Sequence, residues 1–227
     1  MVLNGGSGIT IPLVRVGMSD KEIIINKIRD AFEENEYPGD AYLQGSVEGC
    51  EPYEEVGPFV GKSDWRIVES DFLDAHPGAL NFFSEAGFRF FLPAYLIADV
   101  QGRLIYADPL FHVTHGFSDI DVESLGKGDA GLPRAGRSAL MNPRRYGAMT
   151  FHDYARYRLS IFTRKEAAAI VAYLNYKRDS ASSGFERKGI EAALNSFWLE
   201  RAQTAPLAES LKRHTAQVES LAGLSNK

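Results

Sequence analysis

The stretch from Phe82 to Leu110 constrains this chain more than any other. Five of the chain's fourteen phenylalanines fall between Phe82 and Phe91, and a run of Leu, Ala, Tyr and Ile follows at once. Rings of this size bury large apolar areas, so such a concentration belongs at the centre of a hydrophobic core. Ser84 can cap a helical turn that carries Phe88, Phe91 and Leu92. Pro93 lacks the N–H that a continuing helix uses, so the sequence predicts a kink or a restart there. Helix then resumes over 94–100 and ends at Gly102. A competing reading pairs Leu96–Asp99 with Arg103–Tyr106 in a hairpin around Gln101-Gly102, because both flanks are β-rich.

Around this stretch the patterning is helical. Ser19-Asp20-Lys21-Glu22 is a capping box, in which the serine oxygen takes one free helix N–H and the glutamate returns to another. The helix it opens runs to about Asn35, with Ile24, Ile28, Ala31 and Phe32 on one face. Thr163-Arg164-Lys165-Glu166 is a second box with Phe162 as its staple, followed by Ala167, Ile170, Val171 and Leu174 at clean helical spacing. Shorter helices are expected near Pro52 and after Asp64, the latter carrying Trp65, Val68, Phe72 and Leu73 inward. A helix over about 185–203 buries Ile190, Leu194, Phe197 and Trp198. No regular element fits 109–150, where nine Gly and Pro residues interrupt the pattern. Its ends are expected to be pinned by Leu110, Phe111, Phe117, Leu125 and Tyr146, with a mobile middle at 127–138.

The expected fold is mainly α: one helical domain over 18–203 with a long irregular central segment, or an α+β variant if the hairpin near 96–106 forms. A Gly-rich arm, 1–17, precedes it. A peripheral helix, 204–227, follows, and its stripe of Leu207, Leu211, Val218 and Leu221 could make a homodimer contact. No run approaches the ~18 apolar residues of a membrane span. The N-terminus makes a poor signal peptide, and the single cysteine, Cys50, suits a reducing compartment, so a cytoplasmic location is expected. Residues 1–75 hold six Lys and Arg against fifteen Asp and Glu, an acidic front that disfavours nucleic-acid binding.

Three strings are distinctive together: Phe88-Arg89-Phe90-Phe91-Leu92-Pro93-Ala94-Tyr95-Leu96, Asp108-Pro109-Leu110-Phe111-His112-Val113-Thr114-His115-Gly116 and Asn142-Pro143-Arg144-Arg145-Tyr146-Gly147. With them the chain resembles, from about Asp20 to Arg201, an uncharacterised bacterial family of unknown function. The resemblance implies that the irregular middle belongs to the domain. It implies no catalytic or binding residues.

Chemistry is offered at two places. His112 and His115, three apart, would share one face of a helix and could close on a divalent cation, with Asp119 as a carboxylate ligand. The spacing is not that of the zincins, and an ordinary polar turn explains it as well. Arg144, Arg145 and Tyr146, with Arg156, could grip a small anionic ligand, since guanidinium forks match phosphate or carboxylate. Intramolecular pairing with the acidic front is the competing explanation. Ser84, Ser118 and Ser138 fit no nucleophile elbow, and Cys50 sits among Glu48, Glu51, Glu54 and Glu55, a poor setting for a thiolate. The sequence therefore points to a non-enzymatic binding or protein-interaction domain with no predicted cofactor. The alternative is a small metal- or phosphate-handling enzyme using His112, His115, Arg144 and Arg145.

Overall fold

Both predicted capping boxes form in the computed structural model, which describes residues 18–118 and 149–210. The expected arm 1–17, the middle of the central segment and the distal part of the last helix lie outside the described residues. Ser19 starts α1 (Asp20–Ala31), which buries Ile24, Ile25 and Ile28. Short helices follow: α2 (Glu51–Val56), with Pro52 in its first turn, α3 (Ser70–Ala75) and α4 (Ala79–Phe82). A 3-10 turn over Trp65–Ile67, capped by Asp64, stands where the start of one helix through Leu73 was expected. Then come α5 (Glu85–Val100), α6 (Pro109–Thr114), α7 (Phe151–Leu159), α8 (Arg164–Ser180), α9 (Gly184–Ala193) and α10 (Leu199–Thr204). A single π turn, Leu194–Trp198, joins the last two. The described residues contain no strand, so the fold is mainly α.

Two expectations need correction around α5. The helix does not end and restart at Pro93 but is continuous from Glu85 to Val100. Proline leaves the carbonyl four residues earlier, that of Arg89, without its helical donor. The side-chain amide of Asn35 fills the gap, donating to Arg89 O at 2.8 Å. The hairpin near 96–106 is also absent. Gly102, at φ 71°, ends the helix instead: its N–H donates to Asp99 O at 2.8 Å and that of Arg103 to Ala98 O at 3.0 Å. This is a Schellman closure, which satisfies the end carbonyls and needs a left-handed residue that glycine supplies without strain. The central segment is corrected at its start as well. Asp108 accepts from Phe111 N at 3.0 Å and Pro109 takes the first helical position, so 109–114 is regular helix.

The long helices pack around α5. Phe32, just past α1, meets Phe162, just before α8, at 6.1 Å between rings, so α1 and α8 are antiparallel. Arg89 grips Glu166 in a fork of 2.8 and 3.1 Å, and at the far ends Asp99 accepts from Tyr173 Oη at 2.6 Å and pairs with Lys177 at 3.0 Å. Thus α5 and α8 run parallel. Gly87 lets the first turn of α5 press on the 43–45 loop, where a Cβ would stand 2.7 Å from Leu43 O. From the other side, α10 folds back on α8: Arg201 donates to Phe162 O, and Pro206 O accepts from Arg164 N at 3.0 Å. Buried Ala205 carries this packing past residue 203. No described helix is long and apolar enough to cross a membrane.

The aromatic centre is where the sequence puts it. Phe91 has no exposed surface and packs on Phe59 at 4.9 Å, Phe83 at 5.1 Å and Phe90 at 4.8 Å. Phe91→Ala is expected to cost roughly 3–5 kcal/mol in urea unfolding, the range for removing a fully buried ring. A loss below about 1 kcal/mol would contradict this core.

Candidate functional site

Of the residues singled out in the sequence, Asp119, Arg144, Arg145 and Tyr146 lie outside the described residues. Arg156 is built into the fold. Its Nη1 donates to Ser196 O at 2.8 Å, its guanidinium lies over the Phe197 ring at 5.5 Å, and Glu200 stands 3.8 Å away. It ties α7 to the π turn.

His112 and His115 both pack on Phe111, the first edge-on at 5.4 Å and the second stacked at 4.5 Å. His112 is half-buried on α6 against Phe88, while His115 follows the helix end and meets Phe151. Burial, helped by the neighbouring Arg158 guanidinium and His115, pushes the His112 imidazole down to about 3. His115 is lowered too, by the partial burial of its ring. Among the described residues, no three His, Cys, Asp or Glu side chains gather at one point. Asp108 spends its carboxylate as the cap of α6.

A different surface shows more construction. One oxygen of Asp74, on α3, accepts from three consecutive backbone N–H groups, those of Ile105 at 2.9 Å, Tyr106 at 2.8 Å and Ala107 at 3.0 Å. Burial works against the charge on Asp74, but these three donors outweigh it and hold the carboxyl below its usual range. The loop after α5 is therefore clamped, yet Ile105 and Tyr106 remain 82% and 75% exposed. An unconstrained loop could fold such side chains back. This one presents them.

Beside the loop lies a cleft of about 420 Å³, floored by Trp65, Ala94, Ile97 and Ala98 and rimmed by Arg29, Arg66 and Arg103. The small side chains of Ala94 and Ala98 on α5 leave the room. Asp71 of α3 also lines it, so the helix that clamps the loop forms one wall of the cleft. Arg66 is paired with Asp64 at 2.7 Å. Arg29 and Arg103 have no ion-pair partner among the described residues. Ile67, at 77% exposed, stands on the cleft edge.

No local sequence signal marks this surface. Asp74 and its three donors are more than thirty residues apart, and no local spacing joins them. The exposed Ile105-Tyr106 pair was visible only as β-rich residues. No family model matches the chain, no curated protein matches it, and no solved structure matches it. What the surface does has to follow from its geometry.

The His112 environment sets a pH dependence. The unfolded imidazole titrates near 6.5, whereas the folded one stays neutral to about 3. The unfolded chain then binds more protons at this residue, so stability falls as pH drops from about 6.5 towards 3 and is complete above that window. The stability gap between wild type and His112→Asn is expected to narrow by about 1 kcal/mol between about pH 7.5 and about pH 5.5. A gap that does not change with pH would contradict the burial of this ring.

Proposed function

We propose that this chain is a non-enzymatic binding domain that docks an acidic protein segment on the clamped loop and its arginine cleft. The observation that carries this reading is the Asp74 clamp, which holds Ile105 and Tyr106 in solvent. A surface already ordered before binding loses less entropy on association. Tyrosine and arginine are the residue types that dominate interface hot spots, and an exposed isoleucine adds an apolar anchor. Arg29 and Arg103 stand without ion-pair partners among the described residues on a rim that Glu69 and Asp71 share, and their guanidinium forks can pair with carboxylates of a partner. The partner is then a segment with Asp or Glu beside one large apolar side chain. The exposed thiol of Cys50 suits the reducing interior of a cell, and the reading places the protein there.

The test is fluorescence anisotropy with short labelled peptides of Asp and Glu carrying one central Leu or Phe, at low and high salt. Saturable binding that weakens with salt is expected. An Ile105→Ser, Tyr106→Ala double variant should bind about tenfold more weakly, equivalent to ~1.4 kcal/mol, with an unchanged melting temperature. Arg103→Glu should weaken binding and flatten its salt dependence. Binding by the double variant equal to wild type would overturn the proposal, as would no binding by any acidic peptide.

A further inference from the structure

A second surface lies on the opposite flank of α1. Between α1 and α8 runs a groove of about 730 Å³, with Ile23, Ile24 and Val171 on its walls and the small side chains of Ala168 and Ala172 opening it. Ile23 is 38% exposed there, although its neighbours Ile24 and Ile25 are buried. Asp20 and Lys27 edge the same groove from α1. Neither has an ion-pair partner among the described residues.

The charges are placed with a symmetry of their own. Asp20, Ile23 and Lys27 fall on one stripe of α1, and seven residues separate the charges by about 10 Å along the axis. The α1–α8 pair is antiparallel, so Lys27 stands towards the start of α8 and Asp20 towards its end. One end of the groove therefore carries Asp20 and Asp179 and the other Lys27, with Ile23, Val171 and Ala172 between them beside Asn175 and Tyr176. Turned over by a two-fold axis that crosses α1 and the groove at the level of Ile23, this pattern matches itself. Each Lys27 then meets the other copy's Asp20, while each Ile23 enters the space over Ala168 and Ala172. A surface complementary to its own inverted copy is what a two-fold dimer requires.

We infer that the α1–α8 groove is a self-association surface and that its occupant is α1 of a second copy of this chain. By helical periodicity Arg29 lies on the other flank of α1, so the arginine cleft stays open in the dimer. The inference does not depend on the proposed function, since it uses different residues. It uses none of the C-terminal stripe, of which Leu211, Val218 and Leu221 lie outside the described residues.

Sedimentation equilibrium on the full chain over a range of concentrations tests it. A reversible monomer–dimer equilibrium is expected, and Ile23→Glu should abolish it. Asp20→Lys and Lys27→Asp should each weaken dimerisation by roughly tenfold, since each places like charges together twice. The combined Asp20→Lys, Lys27→Asp variant should recover much of the lost affinity, because the exchanged charges face one another again, with the unchanged Asp179 opposing full recovery. Thermal melts confirm that each variant is folded. A monomer at every concentration, as would follow if another part of the chain or an unlike partner fills the groove, overturns the inference. So does a dimer that survives Ile23→Glu, or a combined variant no better than the single ones.

Discussion

Arg89 is the residue on which three helices meet. Its backbone carbonyl, orphaned by Pro93, takes the Asn35 amide just past α1, and its side chain grips the buried carboxylate of Glu166 on α8. Glu166 is also the closing member of the α8 capping box, accepting from Thr163 N at 2.7 Å. A single position in α5 thus fixes the entry of α8 and the exit of α1. The pair with Glu166 is mostly buried, and removing one partner of such a pair leaves an uncompensated charge, typically a loss of several kcal/mol. An unbroken α5 in turn delivers Ala94, Ala98 and Arg103 to one surface.

That surface is a consequence of how α5 ends. A Schellman closure at Gly102 turns the chain sharply and sends Arg103 to the cleft rim. The next residues would be a loose connection were it not for Asp74. With three N–H groups on one carboxylate oxygen, the loop becomes a fixed display of Ile105 and Tyr106. Rigid framework, small side chains beneath a cleft and large ones beside it are the same economy seen from three sides. The α1–α8 groove repeats the pattern, with Ala168 and Ala172 making the room that Ile23 overlooks.

Local chemistry was legible in the sequence, and distant chemistry was not. Ser19 and Thr163 announce their helices because a capping box is complete within four residues. The box at Thr150 went unread because its closing residue is Asp153, where glutamate is the usual signature. Asp108-Pro109 also carried a helix start that the surrounding glycines obscured. Pro93 misled for a different reason. Its effect on a helix depends on who serves the freed carbonyl, and Asn35 lies 54 residues from Arg89. The candidate surface was hidden in the same way, since its clamp spans 31 to 33 residues. Of the candidate chemistry, His112 and His115 share an aromatic setting on Phe111, and Arg156 braces the π turn at Ser196.

Asn35 replaces the donor that Pro93 lacks and so keeps α5 whole. A double-mutant cycle in urea unfolding tests it most directly, using Asn35→Ala, Pro93→Ala and the two combined. With proline present, losing Asn35 strands a part-buried carbonyl and should cost about 1–3 kcal/mol. With Pro93→Ala, a backbone N–H at position 93 can take the Arg89 carbonyl, so the same loss should cost at least about 1 kcal/mol less. Costs that add within about 0.5 kcal/mol would show the two sites to be independent and would contradict the account.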